Sequence, residues 1–138
     1  MAFEKVGYAD GAVELTALSA CPESTPRGAV AIYPTFMNST PGVEAKAQAL
    51  VDAGYAVLVG DFYGPESPAD FDAAFVAMAR LRSEPLAMRR RLAATLDLLR
   101  SRHPGIPHLA IGFCLGGMAV LEMARAGEDL LAVASFHG

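Results

Sequence analysis

The sequence predicts an α/β domain: a mostly parallel sheet with helices on both faces, entered through an N-terminal β-hairpin. Asp10-Gly11 between two alternating segments is a hairpin signal. Short apolar runs at 29–33, 55–59, 109–113 and 130–136 alternate with segments of helical periodicity, the pattern of buried parallel strands joined by crossover helices. The composition agrees: 138 residues, 53% hydrophobic and only 19% charged, suit one domain, 1–138, built around a sheet covered on both sides.

Each element has a local reason. Residues 5–8 and 13–18 flank the hairpin turn, and 21–28 is a Pro-containing loop. Run 29–33 reads as a buried strand, 34–42 as a long loop, and 43–53 as a helix stopped by Gly54. Run 55–59 is the next strand, followed by Gly60-Asp61-Phe62-Tyr63-Gly64. Helices are expected at 69–82 and 85–102, the second with Ser83 as N-cap and Pro85 in its first turn. Its apolar stripe is Met88, Leu92, Leu96 and Leu99, and His103-Pro104-Gly105 ends it. His103 fits a cation near a helix C-terminus. After strand 109–113 come a helix at 115–126, closed by Gly127, and a last strand at 130–136.

A net charge of −4 argues against a general nucleic-acid binder, and Arg89-Arg90-Arg91 spreads around a helix rather than forming a patch. Neither a signal peptide nor a run long enough to span a bilayer is present, so a cytoplasmic protein with reduced thiols is expected, without membrane partners. Cys21 and Cys114 lie far apart and fit no metal spacing, and no cofactor is implied. Cys21, before Pro22 in a loop, reads as a bystander.

Cys114 does not. Strand 109–113 runs into Gly112-Phe113-Cys114-Leu115-Gly116-Gly117, and a helix follows at once. This is the nucleophile-elbow spacing, with cysteine at the centre. A strained turn there needs small residues two positions either side, which Gly112 and Gly116 supply. It exposes the sulfur at the top of a sheet against a helix N-terminus, where the positive dipole end favours the nucleophilic thiolate. Cys114 is the candidate nucleophile.

These residues resemble the dienelactone hydrolase family of α/β-hydrolases, whose elbow is typically Gly-(Tyr/Phe)-Cys-(Leu/Phe/Met)-Gly-Gly. Gly54-Tyr55, Asp61-Phe62-Tyr63-Gly64 and Ser135-Phe136-His137-Gly138 resemble further stretches of the same family in the same order. The resemblance covers about 28–138. It implies an α/β-hydrolase-like fold and a cysteine hydrolase of small esters or lactones. Backbone N–H groups of Leu115 and Thr35 would form the oxyanion hole. The family's triad Asp and His follow the elbow at a distance, whereas here only one helix and one strand follow Cys114. The chain therefore reads as the N-terminal part of the fold, truncated after the strand that follows the elbow. The His/Gln-Glu pair the family often places after its first parallel strand corresponds to Tyr33-Pro34 here, so the glutamate's role is vacant.

Tyr33, Phe36, Asp61, Phe62, Tyr63 and His137 fall at strand tops and are candidate pocket residues around a small acyl substrate. His137, on the strand beside the elbow and about 4.8 Å from it, could approach Cys114. His103 and His108 belong at the opposite end of the sheet. Three other readings stay open. One is a catalytically incomplete or ligand-binding domain that keeps the elbow as architecture. Another is a glutamine-amidotransferase-like domain, although Gly117-Met118 stands where that elbow has glutamine. The third is a thiol redox sensor, although no resolving cysteine is near in sequence. An apolar last strand at a sheet edge also predicts self-association through that edge.

Overall fold

The first hairpin closes as expected in the computed structural model, which describes residues 3–136. Strand β1 (Glu4–Asp10) pairs antiparallel with β2 (Val13–Ala20), and Gly11 supplies the left-handed turn at φ 58°. The other strands are β3 (Ala29–Tyr33), β4 (Ala56–Val59), β5 (His108–Phe113) and β6 (Ala132–Phe136). They assemble into a six-stranded mixed sheet of order β1-β2-β4-β3-β5-β6. β2 meets β4 antiparallel, while the β4–β3, β3–β5 and β5–β6 pairs are parallel.

Side-chain alternation divides the core in two. Ala29, Ala31 and Tyr33 of β3, Ala56 and Leu58 of β4 and Ala110 of β5 face one side. Val30, Ile32, Val57 and Val59 face the other. The first face is alanine-rich, and two helices settle closely on it. These are α3 (Pro85–Arg102), burying Met88, Leu92, Thr95, Leu96 and Leu99, and α4 (Leu115–Arg125), burying Leu115, Ala119, Val120 and Met123. Each fully buried leucine contributes about 1.5–3 kcal/mol of transfer free energy. The opposite face is larger in side chain and is covered by α1 (Pro41–Asp52) through Val43, Ala47 and Val51.

Several element ends differ from expectation for identifiable reasons. α1 begins at Pro41, because Thr40 caps it by accepting a hydrogen bond from Val43 N (3.3 Å), ahead of the first apolar residue. α2 (Phe71–Arg82) starts behind Asp70, whose Oδ1 accepts from Ala73 N at 2.8 Å. Ser83 does not cap α3. It closes α2, its N–H donating to the Ala79 carbonyl and its hydroxyl to that of Arg80, so Glu84 takes the N-cap position without a side-chain bond. His103 is not a helix-terminal cation either. Its Nε2 is buried without a partner among the described residues, and burial, then Arg102 and His108, lower its pKa and disfavour the charged ring.

The sheet ends on β6, with Leu131 and Phe136 exposed. α2 buries only Ala74 and leaves Phe71, Phe75 and Val76 exposed. No helix among the described residues is long and apolar enough to cross a membrane.

Candidate active site

β5 delivers Cys114 to the C-terminal end of the parallel strands, where α4 begins. Cys114 adopts φ 58°, ψ −114°, a left-handed conformation costly for any residue with a Cβ. Its neighbours hold it there. A Cβ on Gly112 would overlap the Gly116 carbonyl, and one on Gly116 would overlap the Tyr33 carbonyl and come within 2.5 Å of Pro34 O. The glycines therefore allow α4 to start directly against β5 and against the end of β3. Gly117 N–H donates to Cys114 O (3.0 Å), opening the first helical turn, and Cys114 N–H donates to Phe136 O (2.8 Å) on β6. Phe113 stacks on Phe136 at 5.3 Å, reinforcing that junction. The thiol is half-buried.

The close approach at Gly116 sets the backbone of Tyr33 and Pro34, and hence Thr35, beside the elbow. No full hydrogen bond engages the N–H of Leu115 or of Thr35 among the described residues, although Thr35 and Asn38 pair in an isolated antiparallel bridge.

Thr35 belongs to a tight turn. Asn38 N–H donates to Thr35 O (2.8 Å), Thr35 Oγ1 donates to Asn38 O (3.0 Å), and Met37 N–H donates to Thr35 Oγ1 (3.2 Å). Asn38 sits at φ 68°, a conformation asparagine tolerates better than most residues. Its side chain crosses to the loop after β4: Nδ2 donates to Asp61 Oδ1 (2.8 Å) and Oδ1 accepts from Phe62 N (2.9 Å). Asp61 is 8% exposed. Its Oδ1 also accepts from the N–H groups of Tyr63 (3.0 Å) and Gly64 (2.9 Å), and its Oδ2 from Thr16 N (3.0 Å). Asp61 N–H in turn donates to the Tyr8 hydroxyl, which meets Thr95 Oγ1 of α3 at 2.9 Å.

The expected pocket residues therefore separate. Tyr33 is not a pocket wall: it is 1% exposed in the core, and its hydroxyl donates to Leu92 O of α3 at 2.7 Å. Burial raises its pKa well above the ordinary phenol value. Both carboxylate oxygens of Asp61 already accept hydrogen bonds, Oδ1 from Asn38 and from its own loop and Oδ2 from Thr16 of β2. Phe36 is half-buried, edge-on to Phe71 at 5.1 Å. Tyr63 lies closer to the chemistry. Its hydroxyl donates to Phe36 O (2.7 Å), and its pKa is pushed up to about 12, first by burial and then by the neighbouring Cys114 sulfur. Phe62 and Tyr63 also line a groove of ≈ 840 Å³ between the hairpin turn, α2 and the start of α3, with Val13, Val76, Leu81 and Arg91. Cys114 does not line that groove. His137 lies outside the described residues. His108 opens β5, at the end of the sheet opposite Cys114, and its Nε2 meets His103 O at 2.7 Å. Asn38 carries no signal in the sequence beyond being an asparagine in a long loop.

Residues 15–138 match the dienelactone hydrolase family. No curated protein matches the chain. Among solved structures it is similar to a dienelactone hydrolase-like promiscuous phosphotriesterase from metagenomic libraries. That likeness has a TM-score of 0.90 at 33% identity, over 99% of this chain and 59% of that one. A dienelactone hydrolase from Anabaena variabilis shares the fold, with a TM-score of 0.74 at 24% identity over 96% of this chain and 62% of that one. The esterase domain of a Rhodothermus marinus protein follows at a TM-score of 0.68 and 26% identity, over 98% of this chain and 50% of that one. The chain thus spans between half and about three-fifths of the length of these structures.

Proposed function

The chain belongs to the dienelactone hydrolase family, and from that membership we propose that it carries the acylation half of a cysteine hydrolase for small esters or lactones. The observation that carries this reading is Cys114 at φ 58°, a non-glycine residue kept in a strained turn by two glycines that admit no Cβ. A fold needing only a strand–helix connection would place glycine there, since strain of this kind costs about 1–3 kcal/mol.

In the proposed reaction the Cys114 thiolate attacks the ester or lactone carbonyl. The N–H groups of Leu115 and Thr35 receive the negative charge that develops on the carbonyl oxygen. The C–O bond then breaks, the alcohol oxygen leaves with the electron pair, and a thioester remains on Cys114. Hydrolysing that thioester requires a base near water. Among the described residues the two histidines, His103 and His108, both lie at the opposite end of β5 from the elbow. On the described residues alone, acylation is therefore expected to outrun deacylation.

Incubation of the chain and of its Cys114→Ala variant with p-nitrophenyl acetate, following nitrophenol release and intact mass together, tests this. The expected result is a Cys114-dependent burst with an acetyl group retained on Cys114. Sustained Cys114-dependent turnover would place a working base within reach and extend the reading to a complete hydrolase. Absence of any Cys114-dependent acetylation would overturn it and leave the elbow as architecture.

A further inference from the structure

The loop after β4 has no place in the acylation chemistry above, yet its residues Asp61, Phe62, Tyr63 and Gly64 all hydrogen-bond outside or across it. It reaches the Thr35–Asn38 turn from two sides. Asn38 is held by its side chain, through Asp61 Oδ1 (2.8 Å) and Phe62 N (2.9 Å). Phe36 is held by its backbone carbonyl, through the Tyr63 hydroxyl (2.7 Å). Asp61, bonded to Thr16 of β2 and backed by Tyr8 and Thr95, ties this loop to the hairpin and to α3. Both grips fall on the turn directly after Thr35, which Asn38 N–H closes back onto the Thr35 carbonyl (2.8 Å). An oxyanion donor lowers a barrier only if it is aimed before the charge develops, because reorienting it during reaction costs what its hydrogen bond would gain.

We propose that Tyr63 and Asn38 are positioning residues for the Thr35 N–H, clamping its turn from the neighbouring loop so that it stays aimed at the carbonyl oxygen of a substrate on Cys114. The inference rests on the acylation reading and deepens it. Tyr63 keeps its proton throughout the neutral range, so the Phe36 carbonyl always has its donor. Asn38 combines two tasks few residues can share: a left-handed backbone at φ 68° and a side chain that donates and accepts at once.

The test compares two reactions of the same sulfur. Acetylation by p-nitrophenyl acetate passes through an oxyanion, whereas alkylation by iodoacetamide displaces iodide at a saturated carbon and forms none. Both rates are followed by intact mass in a Cys21→Ser background, because Cys21 is exposed and would also react. Tyr63→Phe keeps the ring, and Asn38→Gly keeps the left-handed backbone free of strain. Each is expected to slow acetylation about 10-fold, less than the loss of a whole oxyanion donor, while alkylation stays within about 2-fold. Hydrogen exchange at residues 35–38 should quicken in both variants. Equal losses in acetylation and alkylation would mean a general disturbance of the elbow and overturn the proposal, as would no change in either. A parent protein that is alkylated but never acetylated would defeat the acylation reading itself, and the proposal with it, before any variant is made.

Discussion

Two loops meet at the candidate site and are fixed by opposite means. The elbow is fixed by what is missing: Gly112 and Gly116 carry no side chain, and helix and strand backbones close to contact where a Cβ would sit. The turn at Thr35–Asn38 is fixed by what is present, a set of side chains whose donors and acceptors are matched across two loops. Steric closure is unforgiving and short-ranged. A polar network is graded, and each bond can be removed in turn. A site that needs a strained nucleophile and an aimed donor uses the first for the atom that must not move and the second for the group that must be oriented.

The contrast can be broken at its strongest point first. Gly116→Ala would drive a methyl group into the Tyr33 carbonyl and toward Pro34 O. The cost should exceed about 4 kcal/mol, and loss of a cooperative thermal transition is the expected result. A Tm within a few degrees of the parent would show that the junction can relax and that closure is not what fixes the elbow. On the other side, Asp61→Asn leaves one carbonyl oxygen where two oxygens now accept four donors. It should cost about 3 kcal/mol in urea denaturation while the fold survives. The smallest effect has the opposite sign. Cys114→Gly relieves the left-handed strain and should stabilise the protein by about 1 kcal/mol, while removing all labelling at that position. Destabilisation by that change would mean that the cysteine packs usefully and that its conformation stores no strain.

The sequence resolves these two regions unequally, for the same physical reason. The elbow is local: six consecutive residues carry its strand end, glycines and helix start, so its spacing is legible without a structure. Helix α3 is legible for a similar reason, since Met88, Leu92, Leu96 and Leu99 form one stripe and all four are buried. Asn38, Asp61 and Thr16 are bonded across separations of 23 and 45 residues, and no local pattern announces such pairs. Tyr33 differs from expectation for a related reason. Its position at a strand top suggested an open pocket, but strand alternation turns it onto the alanine-rich face, where α3 offers the Leu92 carbonyl. Ser83 stood between two helices and served the earlier one, because Pro85 has no N–H to offer a cap and Arg80 O was within reach of the serine hydroxyl.

The bond from Cys114 N–H to Phe136 O links the strained elbow residue to an edge strand of the sheet. Among the described residues β6 has one neighbour, β5, and Phe136 is half exposed at its tip. Local opening begins at such margins, where few contacts must be given up. Each time the tip of β6 frays, the elbow loses one of its restraints. The lifetime of the thiol's geometry is thus bounded by the margin of the sheet rather than by its core. Any strand that pairs along the outer side of β6 would lengthen that lifetime without touching the sulfur.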